Sequence, residues 1–476
     1  MSTTTQASQR IKALLDENSF VEIGAKITAR TTDFNMKQTE TPSDGVITGY
    51  GVVDGNLVYV YSQDASVLGG SIGEMHAKKI VNLYDLALKT GAPVIGLIDS
   101  AGLRLQEATD ALNSFGEVYF KQTMASGVIP QITAIFGTCG GGLAIIPTLT
   151  DFTFMEEKKA KLFVNTPNAL EGNEISKCDS SSSKFQSEEA GIVDTIGDEA
   201  TILGQIRNLV SILPGNCEED NSFDECTDDL NRVCAELENC VGDTSIALST
   251  ISDSNVFFET KAGYAKDMVT GFIKLNGATV GAVANRTEVY DADGNVTDKF
   301  DTVLSAEGCE KAADFIKFCD AFEIPVLSLT NTTGFKATKC SEKKIAKAVA
   351  KLTYAFANAT VPKINVIIGK AFGSAYVAMN SKSIGADMTF AWSNAQIGMM
   401  DAKLAAKIIC DGQGADVIDN CAKEYNDLQN NVESAAKRGY VDCIINAADT
   451  RKYVIGAFDM LYTKSEERPA KKHGTV

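Results

Sequence analysis

Histidine is nearly missing from this chain, which has only two in 476 residues, His76 and His473. A Ser-His-Asp or Cys-His catalytic centre needs a positioned imidazole, and a histidine-rich metal site needs more than one. His76 is predicted to lie early in a helix and to have a structural role. We therefore expect no metal, and a chemistry that does not depend mainly on acid–base catalysis by side chains.

Three further features are lacking. None of the 12 cysteines forms a Cys-x-x-Cys pair, which favours free thiols in a reducing cytoplasm over a zinc ribbon or a disulfide framework. No apolar run reaches the roughly 18 residues that span a bilayer, and the N-terminus has no signal pattern. The net charge of −18 repels phosphate backbones. These absences predict a cytoplasmic protein that does not bind nucleic acid.

What the chain does have is an internal repeat. Several prolines and glycines recur at an offset of 232 residues, although proline is rare, with 9 in the whole chain. The recurring pairs are Pro93 and Pro325, Gly102 and Gly334, Pro130 and Pro362, Gly137 and Gly369, and Gly141 and Gly373. Glycine and proline occur where the backbone needs a particular conformation, so their recurrence indicates two copies of one fold.

The repeat predicts two domains, residues 1–225 and 240–476, joined by an exposed acidic linker over 217–229. Asp54-Gly55 and Asn276-Gly277 predict β-hairpins, here at an offset of 222. In both halves helices then alternate with buried-type strands, which is typical of an α/β architecture. A serine run over 180–183 predicts a mobile loop.

The sharpest motif is a glycine-rich turn after a strand, present once in each half at 135–144 and 367–376. A strand followed by small residues that open a helix leaves backbone N–H groups unpaired, and these suit a developing oxyanion. Tight helix–strand packing and a phosphate-binding turn are alternative explanations of such glycines. Two turns in one register, together with the shortage of histidine, favour the oxyanion interpretation.

The chain resembles the carboxyltransferase subunits of biotin-dependent acyl-CoA carboxylases and of the related decarboxylases and transcarboxylases. The resemblance covers nearly the whole chain. The segments that carry it include 46–51, 99–107, 126–132, 370–376 and 391–398 with the single tryptophan, Trp392. Propionyl-CoA carboxylase beta chains and methylmalonyl-CoA decarboxylase alpha subunits are the kind of protein it is similar to.

The resemblance implies two tandem crotonase-like ββα-spiral domains and a ring-shaped hexamer, a trimer of dimers. It places acyl-CoA on the N-terminal domain and biotin on the C-terminal domain, in a cleft between subunits. The implied catalytic residues provide the two oxyanion holes: Gly141 and Gly142 in one, and Ser374 and Ala375 in the other. The implied substrate- and cofactor-binding residues are Ser100, Ala101, Gly102, Gly140, Gly334, Gly373 and Val377.

The implied activity is transfer of a carboxyl group between carboxybiotin on a carrier protein and a short-chain acyl-CoA. The reverse direction would decarboxylate a malonyl-type thioester or glutaconyl-CoA. No biotinylation motif of the Met-Lys-Met type occurs, so biotin is expected on a separate biotin carboxyl carrier protein. Further expected partners are a biotin carboxylase or membrane decarboxylase subunits.

Two departures and two alternatives remain at this stage. Ala101 and Ser374 stand where the family usually has glycine, and the segment 165–196, which borders the CoA cleft in relatives, matches the family pattern weakly. One alternative is a biotin-independent crotonase-type hydratase, isomerase or hydrolase, with Glu107 or Asp99 as acid or base. The other is a non-catalytic assembly subunit.

Overall fold

A computed structural model describes residues 5–30, 40–219, 225–471 and 474. The chain forms two compact units, residues 1–220 and 221–476. Each unit is built on one mixed sheet with helices packed against it. The predicted α/β architecture is therefore confirmed. Within the described ranges, no helix combines the length and the apolar character that crossing a bilayer would require.

The first unit has a seven-stranded sheet in the order β1-β2-β3-β4-β5-β7-β9, and a separate pair, β6 and β8. Its strands are β1 Val21–Ile23, β2 Val46–Val53, β3 Asn56–Gln63, β4 Val94–Ile98, β5 Gln131–Ile135, β6 Thr138–Gly140, β7 Phe152–Glu156, β8 Lys161–Phe163 and β9 Thr195–Gly197. Its α-helices are α1 Gln6–Leu14, α2 Glu74–Thr90, α3 Ala108–Ala125, α4 Ile145–Thr148, α5 Ser183–Glu188 and α6 Glu199–Ile212.

The second unit repeats this plan in the order β10-β11-β12-β15-β16-β17-β19, with β18 paired to β16 and a separate β13–β14 pair. Its strands are β10 Phe257–Thr260, β11 Met268–Leu275, β12 Ala278–Asn285, β13 Glu288–Tyr290, β14 Val296–Lys299, β15 Val326–Thr332, β16 Lys363–Phe372, β17 Met388–Trp392, β18 Gln396–Gly398 and β19 Cys443–Ile445. Its α-helices are α7 Thr244–Ile251, α8 Ala306–Ala321, α9 Lys339–Glu342, α10 Ile345–Asn358, α11 Gly373–Ala378, α12 Ala402–Ile409, α13 Ala415–Tyr425, α14 Val432–Lys437 and α15 Thr450–Leu461.

The two predicted hairpins are confirmed. Val53 faces Asn56 across the first turn, and Leu275 faces Ala278 across the second. Both turns need two residues with positive φ, which Asp-Gly and Asn-Gly supply. Their strands lead into the parallel part of each sheet, where β3 pairs β4 and β12 pairs β15.

The repeat is also visible in single hydrogen bonds. Val94 N donates to Pro130 O at 3.0 Å, and 232 residues later Val326 N donates to Pro362 O at 2.8 Å. The bridge between Ile72 and Leu103 recurs between Leu304 and Phe335, and is again parallel. The prolines and glycines of the repeat therefore mark equivalent backbone positions in two copies of one fold.

One sequence-based prediction about connections is wrong. The serine run is not a mobile loop: Ser181 and Ser183 are buried, and Ser182 caps α5 by accepting from Phe185 N. The acidic linker lies partly outside the described residues, at 220–224. Of its described acidic residues, Glu218, Glu219, Glu225 and Asp229 are exposed, whereas Asp228 accepts from Arg232 Nη2 and Ser254 N.

Candidate active site

The first glycine turn joins β6 to a short helical segment that continues into α4. Gly141 has a φ of 62°, a left-handed conformation that favours glycine. Gly142 follows and is exposed, whereas Leu143 is fully buried and anchors the turn to the core. The backbone of the glycines is therefore accessible to solvent, while the buried Leu143 holds the turn in place.

The second turn has the same form. Gly373, at the start of α11, has a φ of 61°, Ser374 is exposed, and Ala375 is fully buried. The two turns thus agree in backbone angle and in burial, residue by residue, at the offset of 232. The residue at each exposed position, Gly142 or Ser374, is small, which leaves the backbone accessible.

The space in front of both turns is open. A Cβ at Gly141 would meet no atom within 4 Å, and one at Gly373 would meet only Met399 O, at 3.2 Å. The first N–H groups of a helix have no acceptor within that helix. A small acceptor, such as a thioester or ureido oxygen, therefore has room to approach this backbone.

An aromatic wall supports the first turn, and the sequence-based prediction missed it. Tyr119 Oη donates to Gly142 O at 2.5 Å, and its ring stacks on that of Phe115 at 5.7 Å. A Cβ at Gly142 would lie 3.2 Å from both side chains, and one at Gly140 would lie 2.7 Å from the Phe163 ring. Together with the positive φ of Gly141, these contacts explain why three glycines occur in succession.

The structure brings the loop over 100–102 beside the first turn. A Cβ at Gly102 would lie 3.9 Å from Gly140 O, and Ser100 Oγ accepts from Gly102 N at 3.1 Å. Ala101 is exposed at the tip of this loop. In the second unit, Thr332 pairs with Ala371 just before the turn, and its hydroxyl donates to Gly334 O at 3.2 Å.

Val377 is exposed on α11, at 38%. Its equivalent in the first unit, Ile145 on α4, is exposed at 40% and was not identified from the sequence. Ile145 could have been identified from the sequence, because it lies 232 residues before Val377. Each turn is thus followed at the same distance by an exposed apolar side chain.

His76 lies behind the first turn and not in it. The side chain is fully buried; Nδ1 is 2.9 Å from Asp44 O and Nε2 is 3.2 Å from Gln63 Nε2. Burial and, after it, the nearby Arg104 lower the pKa of His76 to about 3. The imidazole is therefore neutral, and the predicted structural role agrees with this environment. His473 lies outside the described residues.

The two carboxylates considered as acid or base are already engaged. Asp99 Oδ2 lies 3.0 Å from Arg10 Nη1, and Glu107 accepts from Arg104 Nη1 at 2.8 Å and from Glu74 N at 2.6 Å. Glu107 is also buried. Because both carboxylates are held by ion pairs, this geometry disfavours the hydratase alternative. The described residues also contain no cluster of three or more potential metal ligands.

The comparisons with known proteins agree with one another. The family model described as carboxyl transferase domain matches residues 4–476. The chain belongs to the carboxyl transferase family. It is 39% identical to the methylmalonyl-CoA decarboxylase subunit alpha of Propionigenium modestum, over 99% of this chain and 92% of that protein. It is also 39% identical to the propionyl-CoA carboxylase beta chain of Roseobacter denitrificans, over 99% and 93%.

A solved structure of transcarboxylase 12S, described as a hexamer assembly with methylmalonyl-coenzyme A bound, superposes with a TM-score of 0.92 at 36% identity. The match covers 98% of this chain and 92% of that one. A single-chain long-chain acyl-CoA carboxylase matches in fold, with a TM-score of 0.78 at 23% identity, over 95% of this chain and 45% of that one. The predicted crotonase-like fold with two domains and the predicted acyl-CoA carboxyltransferase activity are confirmed.

Proposed function

We propose that this chain transfers a carboxyl group between biotin borne on a separate carrier protein and a short-chain acyl-CoA. The observation that carries the proposal is the pair of glycine turns, which share a φ near 60° at Gly141 and Gly373 and the same pattern of burial. Transfer between two substrates needs two sites that stabilise negative charge, and the family membership supplies the chemistry for both.

Biotin, when bound, supplies the carboxyl group and the basic nitrogen, so the protein needs no base of its own. The backbone of Gly141 and Gly142 would hold the thioester oxygen when the α-carbon loses its proton, or its carboxyl group in the reverse direction, and an enolate forms. The backbone of Ser374 and Ala375 would hold the ureido oxygen of biotin. In both places the chain acts through preorganised N–H groups rather than through a titrating side chain.

The acyl group is short and apolar next to the thioester. Ile145 and Val377 are the exposed apolar residues that follow the two turns, and neither carries a charge that would select a polar acyl chain. The relatives act on or bind propionyl- and methylmalonyl-type thioesters by name. Carboxylation and decarboxylation use the same two turns, since each is the reverse of the other.

The chain works as a homo-oligomer, as a hexamer of the kind named for the transcarboxylase. Its partners are a biotin carboxyl carrier protein together with a biotin carboxylase or with decarboxylase subunits. In this assembly the first unit carries the acyl-CoA and the second admits the biotin. The loops over 100–102 and around Gly334 border these two sites.

The test uses the full chain with free biotin and a panel of malonyl-, methylmalonyl- and glutaconyl-CoA, and measures loss of the carboxylate. Gly141→Val and Gly373→Val each place a β-branched residue where φ is positive, so the backbone of the turn has to change and its N–H groups no longer point towards the substrate. Each change is expected to lower the rate of transfer by about a hundredfold or more. Gly412→Val is the matched control, because Gly412 also has a positive φ, of 77°, and open space around its Cβ. Normal transfer by Gly141→Val would overturn the oxyanion assignment.

A further inference from the structure

A polar side chain lies directly beneath the strand that leads to the second turn. A Cβ at Gly369 would come within 2.7 Å of Asn331 Oδ1, so only glycine leaves room for this amide. Lys370 N, the next amide along β16, donates to the same Oδ1 at 3.0 Å. The last residues of β16 are therefore fixed by a side chain from β15 as well as by the sheet.

Asn331 is held in turn by a second amide, Asn285. Asn331 N donates to Asn285 Oδ1 at 2.9 Å, and both residues are buried. Asn285 Nδ2 contacts two thioether sulfurs, Met268 Sδ at 3.9 Å and Met379 Sδ at 3.8 Å. Since Met379 directly follows α11, these contacts link the backbone before the turn to the backbone after it.

The first unit repeats the arrangement. A Cβ at Gly137 would lie 2.0 Å from Asp99 Oδ1, and Asp99 N donates to Gln63 Oε1 at 3.2 Å. The residue beneath the strand there is an aspartate, and its other oxygen pairs with Arg10. Any change at Asp99 therefore alters an ion pair as well as the contact beneath the glycine. Asn331 carries no charge, so removing its side chain tests the contact beneath the glycine without breaking an ion pair.

We propose that Asn331 is a positioning residue for the second turn, which it orients by holding Lys370 N–H through its side-chain oxygen. The assignment of this turn to biotin rests on the proposed function. The hydrogen bond fixes the end of β16 three residues before Gly373, and so sets the direction in which the N–H groups of Ser374 and Ala375 point. A displacement of the order of 1 Å at such a site costs about a hundredfold in rate.

The experiment compares Asn331→Ala, which removes the acceptor, with Asn331→Asp, which retains an oxygen in the same place. Asn331→Ala is expected to lower kcat for transfer by about tenfold to a hundredfold and to leave KM for acyl-CoA unchanged. Asn331→Asp also adds a buried negative charge, so this variant is compared by the hydrogen exchange of Lys370 and not by its rate. The control is Asn446→Ala, which removes an exposed amide bonded to Asp449, outside the site. Normal kcat in Asn331→Ala would contradict the role.

A second readout does not need activity. Hydrogen exchange of the Lys370 amide is expected to accelerate in Asn331→Ala and to stay slow in Asn331→Asp. If the wild-type chain transfers no carboxyl group but this exchange pattern appears, the proposed function fails and the positioning role stands. If Asn331→Ala does not fold, Gly369→Ala tests the same contact, because its Cβ would displace the Asn331 amide. Unchanged exchange at Lys370 in that variant would reject the proposal.

Discussion

The two glycine turns have the same backbone but rest on different supports. Behind the first, Asp99 is followed by Gln63 and then by a buried cluster of ionisable residues. Behind the second, Asn331 is followed by Asn285 and then by two methionine sulfurs. The duplicated fold thus keeps the turn and one amide side chain behind it, Gln63 or Asn285, which accepts a backbone N–H. The residue beneath the strand is an aspartate in the first unit and an asparagine in the second, and the contacts of the two amides differ.

The cluster behind the first turn is centred on Arg104, which is buried. Arg104 Nη1 lies 2.7 Å from Asp44 Oδ1 and 2.8 Å from Glu107 Oε1, and Nη2 donates to Ser71 O at 2.7 Å. Asp44 Oδ2 accepts from His76 N at 2.8 Å. Two buried carboxylates therefore share one buried guanidinium, so the stability of this unit depends on the charge balance around Arg104.

The largest expected difference between the two units follows from removing that guanidinium. Arg104→Met leaves Asp44 and Glu107 buried without their cation, and is expected to destabilise the protein by about 3–5 kcal/mol. The equivalent residue in the second unit is Lys336, which is exposed. Lys336→Met is expected to change stability by less than about 0.5 kcal/mol. Urea unfolding of both variants measures the difference.

A further measurement shows which of the two units is destabilised. In Arg104→Met, peptides from α2 and α3 are expected to lose protection from hydrogen exchange first. Trp392 is buried in the second unit, and its fluorescence reports the unfolding of that unit. Equal stability losses in Arg104→Met and Lys336→Met would show that the two supports do not differ in energy.

The contrast also shows what could be predicted from the sequence. Asp-Gly and Asn-Gly fix their hairpins through local backbone preference, and the glycine turns were found because equivalent glycines recur at one offset. The Arg104 cluster was not found, because Asp44 and Arg104 are distant in the chain and only the fold brings them together. The serine run was misjudged because composition does not distinguish a capped helix end from a loop.

The titration of His76 provides a second, smaller difference between the units. The unfolded chain binds a proton at His76 below pH 6.5, whereas the folded chain does so only near pH 3. The stability that neutral His76 contributes is therefore complete above pH 6.5 and is lost as the pH falls from 6.5 towards 3, by about 1.4 kcal/mol per pH unit. At pH 5 the loss is about 2 kcal/mol, and His76→Gln is expected to remove it. Urea unfolding between pH 5 and 7 measures the two slopes.

Asp151, in the same unit, changes stability with pH in the opposite direction to His76. The pH dependence of each variant is therefore compared with that of the wild type. Burial raises the pKa of Asp151 to about 7, and stability therefore falls as the pH rises from 3.8 to 7. Its equivalent, Asp387, is instead paired with Lys464 at 2.9 Å. Asp151→Asn is expected to give a difference curve of opposite sign to that of His76→Gln, and two curves of the same sign would refute the pKa directions.

The smallest expected difference lies in the backbone at the start of α3. Ala108 has a φ of 45° and a ψ of −120°, a region that only glycine adopts without strain. The equivalent position, 340, lies within α9 and is not among the residues with positive φ. Ala108→Gly is expected to raise the free energy of unfolding by about 1 kcal/mol, because the relief of strain exceeds the entropy cost of glycine.

The matched control for this change is Ala415→Gly, at the exposed start of α13, where the backbone has no positive φ. There glycine brings only its entropy cost and is expected to lower stability by about 0.5–1 kcal/mol. Thermal unfolding of the two variants should therefore shift in opposite directions. If both shift downwards, the strain at Ala108 is absent from the folded protein. The first unit would then differ from the second in its buried charges and not in its backbone.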